Sequence, residues 1–91
     1  MAKLTLLLVN RENMAFMHKV AVFNKGKLEQ GCLTISVTAP EIVVKREWAD
    51  EIFRLNVEDA DSKWRSLLLN HSGKVRRFSD DEIIIADQEG P

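Results

Sequence analysis

The 91-residue sequence predicts a small, mainly β fold, and three observations carry that prediction. From Gly31 to Thr38, Leu33, Ile35 and Val37 alternate with Thr34, Ser36 and Thr38, the period of two that marks a half-buried strand. Ile42-Val43-Val44 is a β-branched run, which favours a pleated backbone. Asn24-Lys25-Gly26-Lys27 lies between two apolar segments, as a hairpin turn does.

Taken in order, Lys3 to Val9 reads as a first strand with Leu4, Leu6 and Leu8 on one face, and Asn10 to Asn13 as a polar turn. Ala15 to Asn24 fits two periods. Met17, Val20 and Ala21 suit a helix that Gly26 would stop, whereas Val20 and Val22 alternate with Lys19, Ala21 and Phe23 as in a strand. The hairpin signal favours the strand. Thr38-Ala39-Pro40-Glu41 has the form of a helix start, with Thr38 as N-cap and Pro40 in the first turn. Thr38 is better explained as the last polar member of the preceding alternation. Ala39-Pro40-Glu41 then becomes a tight connection, Ile42 to Lys45 a further short strand, and Arg46 to Leu55 a helix with Trp48, Ile52 and Leu55 on one side.

Glu58 to Asp61 reads as an acidic linker, with a boundary near residue 57. Two units follow, residues 1–57 and an acidic, β-rich extension over 58–91. In the extension, Trp64 to Leu69, Lys74 to Phe78 and Glu82 to Ala86 predict a three-stranded meander with turns at Asn70–Gly73 and Ser79–Asp81. Trp64, Leu67 and Leu68 also fit a short helix.

Composition narrows the class. A chain this short buries proportionately little surface, so dimerisation is an expected source of extra core. At 45% hydrophobic and 30% charged residues it has the balance of a globular domain. The longest apolar run, Leu4 to Val9 with Thr5 interrupting it, is far short of a membrane span and lacks the flanks of a signal peptide. Cys32 is alone, which fits a reducing, cytoplasmic setting. One cysteine with the distant His18 and His71 makes no metal pattern, and no cofactor is expected. Net charge is −1, yet residues 1–55 hold eight Lys and Arg against six Asp and Glu, and residues 56–91 hold five against eight. That asymmetry suggests two segments with different roles.

The order strand, turn, strand, hairpin, strand, Ala-Pro, strand, Arg-Glu, helix resembles the carbon storage regulator (CsrA/RsmA) family of bacterial RNA-binding translational regulators. The residues that carry the resemblance are Ile35-Ser36-Val37-Thr38-Ala39-Pro40 and Val43-Val44-Lys45-Arg46-Glu47, within a similarity covering roughly residues 2–55. It implies a five-stranded unit with a short helix, and a homodimer that exchanges its first and fifth strands. It also implies binding to GGA-containing single-stranded or hairpin-loop mRNA, read through unstacked bases. Arg46 matches the family's RNA-contacting arginine, and Lys45 stands where relatives often carry His. Val43 and Val44 match strand positions beside the RNA, Ala39 and Pro40 match the loop entering that strand, and Leu6 and Arg11 complete the implied set. The family's first-strand arginines are replaced by Leu7, Leu8 and Val9, with Arg11 the nearest cation, and its glycine before the valine is Ser36. Fewer cations imply fewer phosphate contacts and weaker, less salt-sensitive binding.

A second function is therefore carried alongside: a protein-interaction module whose acidic tail binds a protein partner or covers the RNA site. A small RNA or a protein antagonist is a further expected partner. Trp48 reads as core or dimer packing rather than a base platform. Arg76-Arg77 reads as a solvated hairpin face, because Asp80-Asp81-Glu82 follows it, and that acidic run lacks a second ligand cluster for a metal. The serines near His71 lack a nucleophile elbow or a third partner, so no catalysis is expected.

Overall fold

A computed structural model of the protein describes residues 1–87; the last four residues of the expected extension, 88–91, lie outside the described residues. In chain order the elements are β1 (Ala2–Leu7), α1 (Arg11–Asn24), β2 (Lys27–Gln30), β3 (Thr34–Ala39), β4 (Glu41–Lys45), α2 (Arg46–Phe53), α3 (Val57–Ser66), β5 (His71–Ser72), β6 (Lys74–Phe78) and β7 (Glu82–Ala86). Among the described residues, seven strands form two antiparallel sheets, with orders β2-β3-β1-β5 and β4-β7-β6. The fold is mixed α+β, not the mainly β fold expected.

The first sheet follows the alternation read from the sequence in part: Ile35 and Val37 face the core, whereas Leu33 precedes β3 and is 75% exposed, and Ser36 is buried. Ala2, Leu4 and Leu6 of β1 stand opposite Ala39, Val37 and Ile35 of β3, and all six are buried. Lys3, Thr5 and Leu7 stand opposite Thr38, Ser36 and Thr34 on the other face. The resemblance implies a first strand exchanged with a second copy. Here β1 pairs along one edge with β3 and at Lys3 and Leu4 with β5, all of the same chain.

Pro40 carries the chain from the first sheet to the second, where it needs no N–H of its own and its carbonyl accepts the Asp87 amide at 3.1 Å. In the second sheet Ile42 and Val44 stand opposite Ile85 and Ile83, again buried on one face.

The largest departure is residues 15–24, expected as a strand and found inside α1. Asn13, Phe16, Met17, Val20 and Ala21 are buried, a helical spacing that packs onto both sheets, whereas Val22 is 78% exposed. Asn10, placed by the sequence in a polar turn, is the N-cap: its side chain accepts the Asn13 amide at 2.8 Å. The hairpin signal is a helix stop instead. Lys25 turns left-handed at φ 52°, and the amides of Lys25 and Gly26 donate to the Val22 and Ala21 carbonyls at 3.3 and 2.9 Å. That is a Schellman ending.

The acidic segment Glu58–Asp61, expected as a linker, lies in α3, which Asn56 caps by accepting the Asp59 amide at 2.9 Å. Glu58 and Asp59 in its first turn and Lys63 and Arg65 in its last complement the helix dipole. Trp64 and Leu67, placed first in a strand, close the core from α3 and the turn after it. Leu4, Phe16, Ile35, Ile42, Trp64 and Ile85 belong to one buried cluster, so segments on both sides of residue 57 share one core.

Candidate functional site

Two surface regions gather polar side chains beside exposed apolar ones. The first surrounds the start of α2 and contains the two cations singled out in the sequence. Lys45 ends β4 and faces Glu82 across the sheet, with Nζ 2.6 Å from the Glu82 carboxylate. Arg46 begins α2, and its amide donates to the Asp81 carbonyl at 2.7 Å. Its guanidinium donates to Asp50 at 3.1 Å and to Asp61 at 2.8 Å, and lies 5.6 Å from the Trp64 ring centroid. Hydrogen bonding to Asp61, partly offset by burial, raises the Arg46 pKa above its ordinary value. Glu82 is held below the usual carboxylate range, first by its hydrogen bond from Lys45 and then by the charges of Lys45 and Arg77.

Lys45 and Arg46 line a charged groove of about 400 Å3 together with Glu47, Asp50, Asp81 and Glu82. An adjoining apolar groove of about 470 Å3 is lined by Val22, Phe23 and Trp48, with His18, Lys19 and Lys45 at its rim. Trp48 is 6% exposed and meets the Phe23 ring edge-on at 4.9 Å between centroids, so it is packed, as its spacing suggested.

The remaining residues of the implied RNA set separate. Val43 pairs its main chain with the Asn24 side chain, Val44 and Ala39 are buried, and Pro40 is exposed between the sheets. Leu6 points into the core and is 8% exposed. Arg11 starts α1, whereas Phe23 and Asn24, near Trp48 and Val43, end it. At about 1.5 Å per residue that puts Arg11 roughly 20 Å from the Lys45–Arg46 end. Both acids that hold these cations from a distance, Asp61 and Glu82, come from the segment read as an extension.

The second region lies where β5 parts from β1. Leu7, Val9, Leu33 and Leu69 are exposed by 55%, 71%, 75% and 80%. Leu7, Val9 and Leu69 rim a notch of about 190 Å3 that reaches Asn13 and Lys63. In the sequence Leu7 and Val9 stand out only as replacements of the implied first-strand arginines; Lys63 sits in a charged stretch, and only the folded chain sets it against Asn13.

Among the described residues, no group of three or more His, Cys, Asp or Glu side chains stands close enough to hold a metal. No helix there is long and apolar enough to cross a membrane.

No family model and no curated protein matches the sequence. Two solved structures share the fold. A chain from a structure of a phenol hydroxylase–regulatory protein complex matches with a TM-score of 0.65 at 18% identity, over 93% of this chain and 95% of that one. A chain from a second structure of the same description matches with a TM-score of 0.55 at 16% identity, over 94% of this chain and 99% of that one.

Proposed function

We propose that the chain is a non-catalytic regulatory protein that acts by binding a partner enzyme, a hydroxylase of the phenol hydroxylase kind. The observation that carries this reading is the near end-to-end likeness to chains of two phenol hydroxylase–regulatory protein complexes, each about the size of this one. Fold alone does not fix function, and the surface supplies the second support. Leu7, Val9, Leu33 and Leu69 near β1, and Val22 and Phe23 on α1, are large apolar side chains left exposed, as a docking protein requires. Isothermal titration of the chain into the phenol hydroxylase-type enzyme of the same organism tests the reading. Saturable binding at a fixed stoichiometry is expected. Absence of both heat and co-sedimentation would sink it.

GGA-containing mRNA is a second proposal, supported by the adjacency of Lys45 and Arg46 at one groove. Each cation is ion-paired within the chain, so RNA entry would exchange carboxylate contacts for phosphate contacts. On this reading the acids of α3 and β7 cover the site, and the Asp61→Asn/Glu82→Gln double variant binds a GGA hairpin more tightly than the parent chain does. Equal, weak binding to that hairpin and its CCA control, by parent and variant alike, would end this reading.

A further inference from the structure

Lys63 is a half-buried cation, and among the described residues no carboxylate stands within ion-pair distance of it. β5 accompanies β1 only at Lys3 and Leu4, and the Thr5 amide donates to the Asn70 carbonyl at 2.9 Å. Past that point the edge of β1 opens into the notch. The Leu7 carbonyl turns to this edge and accepts Asn13 Nδ2 at 2.7 Å. In an antiparallel strand the N–H of the same residue points the same way.

Asn13 is 3% exposed, and its bond to Leu7 fixes the direction of its amide group. Its Oδ1 accepts Lys63 Nζ at 2.9 Å. The ammonium also lies 4.6 Å from the Phe53 ring centroid. An ammonium has three N–H donors, and among the described residues Asn13 Oδ1 is its hydrogen-bond acceptor. Burial lowers the Lys63 pKa. Lys45, Arg46 and Arg77, by contrast, each meet a carboxylate.

We propose that the notch binds one carboxylate side chain, a glutamate or aspartate presented by the partner enzyme. The carboxylate pairs with Lys63 Nζ and the Leu7 N–H, and its aliphatic stem rests on Leu7, Val9 and Leu69. Lys63 has already lost part of its hydration, so an anion here adds mainly its own desolvation cost, and an apolar cover keeps water from screening the pair. A single positive charge within an apolar rim suits a carboxylate better than a phosphate. The apolar rim supplies contact area, and the ion pair sets register and the rate of encounter. The enzyme as source of the carboxylate rests on the functional reading above; the preference for a carboxylate rests on the notch alone.

Sodium butyrate titrated into the full chain, with butyramide at matched ionic strength as the neutral control, tests the notch by NMR. Saturable shifts at the Leu7 and Asn13 amides and the Lys63 ammonium are expected with butyrate and not with butyramide. The Leu7 and Asn13 shifts should persist in Lys63→Arg and vanish in Lys63→Met. Leu69→Asp, at a side chain 80% exposed and outside the core, should abolish them by repulsion without touching the Phe53 contact. Equal shifts with both probes, or butyrate shifts that survive Lys63→Met, would overturn the site. In the second arm, Lys63→Met and Leu69→Asp should each weaken binding to the hydroxylase about tenfold or more, whereas Lys63→Arg should not. Unchanged affinity of both weakened variants overturns the enzyme as source. A parent chain that binds no hydroxylase overturns the functional reading, and the butyrate titration still decides the notch.

Discussion

Asn24 closes the open edge of β4 with a side chain. Its Nδ2 donates to the Val20 and Val43 carbonyls at 2.9 Å each, and its Oδ1 accepts the Val43 amide at 2.8 Å. One residue thus ties the end of α1 to an edge strand that would otherwise present unpaired groups. Asn24→Ala strands the Val43 N–H and C=O and should destabilise the protein by about 2 kcal/mol in urea unfolding. The Lys45–Glu82 pair predicts a pH effect. Because Glu82 is held below the usual carboxylate range in the folded chain, the unfolded chain binds its proton first as pH falls. The pair's contribution is therefore complete above the ordinary glutamate pKa and is lost as pH drops through the depressed one. Glu82→Gln should lower the urea midpoint at neutral pH and flatten its decline on acidification.

The strands are the legible part of this chain. β3 and β1 announce themselves by alternation, since one face meets the core and the other meets Lys3, Thr5 and Thr34. β6 and β7 fall at Lys74–Phe78 and Glu82–Ala86, as the meander reading placed them, with the turn between. α1 hides because the first member of its buried stripe is Asn13, a polar residue whose burial depends on Leu7 and Lys63. Without Asn13, Val20 and Val22 alternate well enough to imitate a strand. α3 hides for a related reason: its outward face is mostly charged, and only Trp64, with Leu67 just after the helix, marks the inner one. Of the candidate surfaces, the adjacency of Lys45 and Arg46 is visible in the sequence. Their neutralisation by Asp61 and Glu82, and the pairing of Lys63 with Asn13, are made by contacts across the fold. The β5–β6 junction carries a further prediction. Gly73 has φ 114°, and a Cβ there would run into the Ala86 carbonyl. Gly73→Ala should destabilise the protein by more than about 1 kcal/mol in thermal unfolding.

The two sheets and three helices share one core, to which residues from Ala2 to Ile85 contribute. Strands from the last third of the chain complete both sheets, β5 beside β1 and β7 beside β4. Cutting after residue 57 would therefore leave β4 without its neighbour and remove Trp64, Leu67, Ile83 and Ile85 from the core. That truncated chain should fail to give a cooperative thermal transition, as followed by circular dichroism. A docking role asks the intact molecule to present its exposed leucines and Lys63 on a rigid frame, and the shared core supplies that frame. The proposed regulatory role is tested most directly by the rate of phenol hydroxylation by the phenol hydroxylase-type enzyme of the same organism, measured as this chain is added. The expected rate changes with added chain and levels off at a fixed chain-to-enzyme ratio, with Lys63→Met requiring about tenfold more protein to reach the same level. A rate that stays flat through a large molar excess of the chain would contradict it.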